Sequence, residues 1–140
     1  MAIKFEGLED VLKRFDDLGD ISALEAAMGR AAAYVEGEAR KKAPKGNCAL
    51  RNSIQSRVDK DNDEIVGVVF TPLEYAPYVE YGTGLFAENG GRKDVPWNYQ
   101  DDEGEWHSTS GMKPQPFMRP AINESREQVI RILEESINND

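Results

Sequence analysis

His107 is the only histidine of the chain, and it is the first candidate for acid–base or metal chemistry. Such roles need partners, and the nearest carboxylates in the sequence belong to Glu103 and Glu105. Glu105 and His107 fall on the same face of a strand, because side chains two residues apart do. The surrounding segment is an acidic hairpin, in which a solvated histidine is the commoner arrangement. We therefore predict neither catalysis nor metal binding at His107.

Other reactive side chains also lack partners in the sequence. Cys48 is the single cysteine, which excludes an internal disulfide, and no histidine is linked to it that would activate a nucleophile. The run Asp61-Asn62-Asp63-Glu64 lacks the glycine and the distal glutamate of an EF-hand loop and fits a turn better. Gly82-Thr83-Gly84 is too short for a phosphate-binding loop. The sequence thus predicts no enzyme, with no catalytic residue, no cofactor and no metal.

The charge of the chain restricts its partners. The 17 basic and 26 acidic side chains give a formal net charge of −9. An acidic surface repels phosphate, so we expect no specific binding of DNA or RNA, although nucleic acid would slide past such a surface without sticking. No apolar run approaches the ~20 residues that span a bilayer, so we expect no membrane partner. A generic acidic protein of the reducing cytoplasm is the plainer interpretation.

Hydrophobic periodicity predicts helices in both halves of a single domain of 140 residues. Within residues 1–20, apolar side chains at helical spacing indicate a short helix that ends near Gly19. A capping-box pattern at Ser22 precedes a long helix over about residues 23–43. A last helix begins at Pro120, since proline suits the first helical position.

The segment between the long helices predicts two hairpins. Residues 50–71 form the first, in which side chains alternate before the apolar run 65–70. A short helix or turn over 75–81 follows, and then a flexible loop over 83–96 that would order only against a partner. The second hairpin, over 97–110, either projects or extends the sheet. The order of elements predicts an α+β fold, with the long helix and the C-terminal helix packed on one antiparallel β-sheet built from hairpins.

Small residues distinguish the long helix. Gly29 and Gly37 lie in its interior, where each glycine costs about 1 kcal/mol relative to alanine. Alanines occupy positions 31–33, so the helix has a thin surface that permits close approach of another backbone. Two explanations stay open, namely packing of the helix on the sheet and contact with another subunit.

Three segments, in this order and spacing, form a characteristic series. They are Ala43-Pro44 followed by Leu50-Arg51-Asn52-Ser53-Ile54, then Tyr75-Ala76-Pro77-Tyr78-Val79-Glu80-Tyr81-Gly82-Thr83, then Pro116-Phe117-Met118-Arg119-Pro120-Ala121. The series resembles a family of tailed-bacteriophage morphogenesis proteins, the head–tail joining (neck or tail-completion) and minor tail components. The resemblance covers about residues 20–137. The tryptophan hairpin with Gly111-Met112-Lys113-Pro114 is similar to versions from phages of Gram-positive hosts.

One position departs from the family pattern. The loop after the long helix usually carries Thr-Gly where this chain has Asn47 and Cys48. Glycine supplies a backbone freedom that cysteine lacks, and Asn47 could take the left-handed conformation instead. The departure concerns this loop alone, because the hairpin strand and the other two segments keep the pattern.

The resemblance implies a structural role in the virion. Proteins of this kind form a ring, or part of one, between the portal-bound adaptor and the tail tube or tail terminator, and DNA passes through the centre without specific binding. The resemblance also implies assembly in the host cytoplasm and a final place at the head–tail junction or in the tail. A minor tail component is the alternative within the family. A monomeric binding module encoded by a prophage and a small hydrolase using His107 are the alternatives outside it.

Seven side chains are predicted to make contacts with partners or other subunits, namely Tyr75, Tyr78, Glu80, Tyr81, Trp97, Phe117 and Arg119. The aromatic members would be contact or wedge residues, and Arg119 would pair with a carboxylate, for which Glu80 is a candidate. The competing interpretation is that each aromatic side chain only covers the core of the monomer, as buried aromatics commonly do.

Overall fold

The computed structural model describes residues 1–4, 21–46, 48–61, 64–88, 90–91 and 94–138. The predicted helix that ends near Gly19, the departing Asn47 and the Asn62-Asp63 tip of the first hairpin lie outside these residues. The elements are β1 (Ala2–Lys4), α1 (Ile21–Lys42), α2 (Cys48–Ser53), β2 (Gln55–Asp61), β3 (Glu64–Phe70), α3 (Ala76–Tyr81), a 3₁₀ turn (Gly84–Phe86), β4 (Trp97–Gln100), β5 (Trp106–Thr109) and α4 (Met118–Asn138). They belong to two compact units, the first made of Met1–Leu73 and Phe117–Asp140, the second of Glu74–Pro116.

A three-stranded antiparallel sheet with the strand order β1-β3-β2 forms the base of the first unit. The β2–β3 hairpin runs in register from the pair Gln55 and Phe70 to the pair Asp61 and Glu64. β1 pairs with the other edge of β3. The central strand is apolar on both faces, and its adjacent residues Val68 and Val69 are both fully buried.

Helix α1 contacts β2, β3 and α4 through one stripe of small and apolar side chains. The buried residues of the stripe are Leu24, Ala27, Met28, Ala31, Ala32, Val35 and Ala39. A Cβ placed on Gly29 would lie 3.8 Å from Val58 of β2, an ordinary van der Waals distance, so Gly29 faces the sheet. Gly37 has open space around it. The spacing at Gly29 would also admit an alanine, so packing on the sheet alone does not require the glycine. A subunit contact at Gly37 stays a prediction.

Helix α4 lies antiparallel to α1. Near one end Lys42 forms an ion pair with Glu124, and near the other Arg30 donates a hydrogen bond to the Ser136 hydroxyl. The hydrogen bond to Glu124 raises the pKa of Lys42 above its usual value. Along its length α4 buries small and apolar side chains at helical spacing, namely Met118, Ala121, Ser125, Val129 and Leu133.

The first hairpin is shorter than the sequence predicts. Leu50 belongs to helix α2, and the strand begins at Gln55. Leu50 and Ile54 are four residues apart and both fully buried, a spacing that fits a helical turn as well as a strand. The Arg40 guanidinium donates two hydrogen bonds to the Ile54 carbonyl, at 2.7 and 3.2 Å, and so joins α1 to the start of β2.

The predicted α+β class is confirmed, with antiparallel hairpins and long helices. β4 and β5 form a two-stranded sheet of their own. Among the described residues, none of the helices combines the length and the apolar character that crossing a membrane would require.

Replacing Phe117 by alanine tests the core of the first unit. Phe117 is the largest fully buried side chain among the described residues. We expect Phe117→Ala to lower the free energy of unfolding by about 3–5 kcal/mol, because it removes a buried ring and leaves a cavity. Urea denaturation followed by circular dichroism measures the change. Phe86→Ala is the matched control, since Phe86 is exposed and its loss should cost less than about 1 kcal/mol. Equal effects of the two substitutions would contradict the placement of Phe117 in the core.

Candidate functional site

The exposed large hydrophobic side chains of the described residues are concentrated in the second unit. Eight of nine belong to Glu74–Pro116, namely Tyr75, Tyr78, Tyr81, Leu85, Phe86, Tyr99, Trp106 and Met112. The ninth is Tyr34 of α1. Single exposed apolar residues are normal, whereas a concentration of them marks an interaction site. The second unit is therefore the candidate functional site.

Helix α3 has one set of buried side chains and one set of exposed side chains. Val79 and Glu80 are buried, whereas Tyr78 is 60% exposed and Tyr81 38% exposed. Pro77 lies in the first turn, where a backbone N–H would lack a helical partner in any case. Helix α3 thus exposes tyrosine rings, and its first turn is made rigid by Pro77.

Tyr78 and Tyr81 border a groove of about 290 Å³, which we call the tyrosine groove. Its lining residues are Pro77, Tyr78, Tyr81, Gly82, Thr83, Gly84, Ala87 and Gly91. Sites that enclose a small molecule usually measure about 300–1,000 Å³ and bury most of their ligand. A groove at the lower limit of that range, with exposed tyrosines at its border, suits a side chain of another protein better than an enclosed substrate.

Backbone contacts brace the floor of the tyrosine groove. Thr83 donates its N–H to the Met112 carbonyl at 2.9 Å, and Leu85 donates to the Ser110 carbonyl at 2.9 Å. The Met112 N–H in turn donates to the Thr83 hydroxyl at 2.9 Å. Gly84 has a φ of +61°, and a Cβ there would lie 2.7 Å from the ring of Trp97. The chain can close in this way only with glycine at position 84.

The structure exposes some of the predicted contact residues and buries others. Tyr75, Tyr78 and Tyr81 are exposed. Trp97 is half-buried with its ring against Gly84, and Arg119 is half-buried in α4. Glu80 and Phe117 are fully buried, which for Phe117 is what the core interpretation expects. The contact roles of all seven stay predictions, and so does the pairing of Arg119 with Glu80.

Sequence reasoning missed five exposed large hydrophobic residues of this unit as contact candidates, namely Leu85, Phe86, Tyr99, Trp106 and Met112. Leu85 and Phe86 fall in the segment predicted to be a flexible loop, where the structure has a 3₁₀ turn. The available signal was an apolar pair inside a run of glycine and charged residues, which a solvated loop does not need.

His107 has a carboxylate partner that the sequence did not indicate. Its Nε2 atom lies 2.7 Å from Oδ2 of Asp101, while Tyr99 stacks on its ring with the ring centres 5.3 Å apart. The hydrogen bond with His107, followed by the backbone N–H of Glu105, holds the pKa of Asp101 below its ordinary value of 3.8. Among the four carboxylates of residues 101–105, Asp101 is thus the one that the fold joins to the imidazole.

The chain matches one family model, described as "Bacteriophage HK97-gp10, putative tail-component", over residues 7–82, more than half of its length. The match includes the first of the three characteristic segments and nearly all of the second, and it ends at the glycine that follows α3. No curated protein and no solved structure matches the chain.

Two glycine substitutions separate the cost of backbone conformation from that of the close contact. Gly84 and Gly90 both have positive φ, but a Cβ at Gly90 would meet open space. We expect Gly90→Ala to destabilise the second unit by about 1–2 kcal/mol through its conformation alone. Gly84→Ala should cost about 1–3 kcal/mol more, because the methyl group would overlap the Ser110 carbonyl oxygen and lie only 2.7 Å from the Trp97 ring. Hydrogen exchange of residues 74–116 measures both changes, and equal protection in the two variants would rule out the close contact.

The Asp101 carboxyl supports the second hairpin only while it is ionised. Because its folded pKa lies below the ordinary value of 3.8, its contribution is complete above that pH and is lost as the pH falls through the folded pKa. We expect the carboxyl carbon of Asp101 to titrate below 3.8 in an NMR titration in metal-free buffer. His107→Gln should move that pKa upward, since it removes the largest cause of the shift. Titration of Asp101 above 3.8 in the unmodified chain would contradict the arrangement.

Proposed function

The chain belongs to the HK97-gp10-like family of phage tail components, and from that premise we propose that it is a head–tail connector or tail-completion protein. In this proposal it forms a ring, or part of one, between the portal-bound adaptor and the tail tube or tail terminator. Membership of the family itself makes the chain a tail-component-like structural protein of the virion.

The observation that carries the proposal is the aromatic surface of the second unit. Tyrosine and tryptophan are the residues that protein interfaces favour, because their rings bury a large area at low cost in side-chain entropy. Tyr78 is 60% exposed and Trp106 is 69% exposed, so most of each side chain takes no part in the packing of the monomer. A backbone braced by glycine contacts holds the tyrosine rings before a partner arrives, which lowers the entropy lost on binding.

The charge of the chain supports a place along the path of DNA. A net charge of −9 repels the phosphate backbone, so a ring of such subunits would let DNA pass without holding it. We propose no reaction for the protein. The Asp101–His107 pair lies on exposed strand and turn positions, where water weakens charge pairs.

Light scattering coupled to size exclusion, over a range of protein concentration and salt, tests the ring. A discrete oligomer with one sharp mass would support the proposal and give the subunit count. A monomer that assembles only on addition of purified tail tubes or connectors would indicate a templated ring. A monomer that binds neither would overturn the proposal in favour of a monomeric binding module. Binding along the tail tube but not at the connector would favour a minor tail component.

Substituting Tyr78 distinguishes a contact role from a role in the core. We expect Tyr78→Ala to leave the free energy of unfolding within about 0.5 kcal/mol, because most of the ring is exposed. The same substitution should strongly reduce the yield of infectious particles when it complements a phage that lacks this gene. Plaque counts and electron microscopy of heads and tails measure the effect.

Tyr34→Ala is the matched control for Tyr78→Ala. Tyr34 is also an exposed tyrosine on a helix, but it belongs to α1 in the first unit. It should support normal assembly. A normal particle yield with Tyr78→Ala would exclude the Tyr78 side chain as an assembly contact. A large loss of stability in the same variant would favour the core interpretation.

A further inference from the structure

The tip of the β4–β5 hairpin brings three metal-ligating side chains to one face. The strands pair Tyr99 with His107 and Gln100 with Trp106, so Asp101 and Glu105 are the next opposing residues. The Asp101 N–H donates to the Glu105 carbonyl at 2.9 Å, which continues the pairing by one step. Residues 105 and 107 share a face because they are two apart in a strand. The ligand atoms of Asp101, Glu105 and His107 all lie within 4.8 Å of one another.

The turn fixes the Asp101 carboxylate before any ion binds. Oδ1 accepts hydrogen bonds from the backbone N–H groups of Glu103 and Glu105, at 2.9 and 2.8 Å. Oδ2 is thereby directed toward Nε2 of His107, at 2.7 Å. Tyr99 stacks on the imidazole and restricts its rotation. Two of the three donor atoms are thus oriented by contacts with their surroundings, as metal ligands commonly are.

The donor set determines which ions would fit. One imidazole nitrogen with two carboxylate oxygens suits zinc and the neighbouring divalent transition metals, whereas calcium and magnesium prefer oxygen ligands alone. Zinc bonds of about 2.0–2.2 Å place the donor atoms roughly 3 Å apart, and rotation of the exposed Glu105 side chain would close the remaining spacing. The ion would take the place of the direct hydrogen bond between Nε2 of His107 and Oδ2 of Asp101.

From this geometry we propose that Asp101, Glu105 and His107 form a binding site for a divalent transition-metal ion, with Zn²⁺ as the best-fitting ion. Three protein ligands leave a coordination position for water or for a ligand from another molecule. The site is separate from the tyrosine groove, and it does not depend on the proposed ring.

Isothermal titration of the full chain with zinc chloride tests the site, in metal-free buffer at neutral pH. Cys48 is an exposed thiol that could also bind zinc, so all titrations use a Cys48→Ser background. We expect one zinc ion per chain. We expect Glu105→Gln and His107→Gln each to weaken binding by on the order of tenfold or more, since even the loss of an outer partner of a metal ligand has effects of that size. The Glu105 variant keeps the backbone groups that close the turn, so it separates loss of a ligand from loss of the fold.

Glu103→Gln is the matched control, because it removes an equal charge from the same turn without removing a ligand. It should bind zinc as the unmodified chain does, within about twofold. A cobalt-loaded sample should show the intense visible d–d absorption of a four- or five-coordinate site, and this absorption should be lost in His107→Gln. Equal weakening by Glu103→Gln and Glu105→Gln, equal affinity for magnesium and zinc, or binding unchanged in His107→Gln would overturn the proposal, since each indicates attraction to acidic charge only.

Discussion

The second unit depends on a close approach of two backbone segments, residues 82–84 and residues 110–112. Thr83 and Met112, 29 positions apart, hydrogen-bond to each other through backbone and side chain. Closing a loop of that length costs conformational entropy that grows with the logarithm of its length. The hydrogen bonds offset this cost only if the two segments meet without side chains between them, and Gly82 and Gly84 provide that condition. This contact determines where α3 ends, where Trp97 lies and how the floor of the tyrosine groove is formed.

The first unit is stabilised in a different way. Its stability comes from apolar burial. The alanine-rich helix α1 packs on the sheet and on α4, and the central strand is buried on both sides. The second unit holds its shape largely with backbone hydrogen bonds and four short elements, namely α3, the 3₁₀ turn, β4 and β5. Its exposed tyrosines are therefore not required to build a core, and in the proposed function their rings would supply the contact surface.

The parts that the sequence predicted well are those with long, regular periodicity. Helix α1 begins within two residues of its predicted start, since a stripe from Leu24 to Ala39 has no rival interpretation. The N-terminal end of the first hairpin was wrong because Leu50 and Ile54 fit both periods. The Asp101–His107 contact escaped prediction because it depends on a carboxylate that folds back over its own turn, which no spacing rule reports. The burial of Glu80 was equally invisible, since carboxylates are rarely buried and only the tertiary structure decides which are.

The composition of the contact surface follows from the charge of the chain. In the proposed ring each neighbour would carry the same net charge of −9, so long-range electrostatics oppose assembly. At physiological ionic strength this repulsion is screened beyond about 8 Å, and within that distance short-range burial must exceed it. Tyrosine is suited to this task, because its ring supplies apolar area while its hydroxyl tolerates water in the unassembled subunit. In the proposed ring, an acidic body that lets DNA pass and a contact surface built from neutral aromatic residues would both follow from one requirement, that copies of an acidic protein meet around a polyanion.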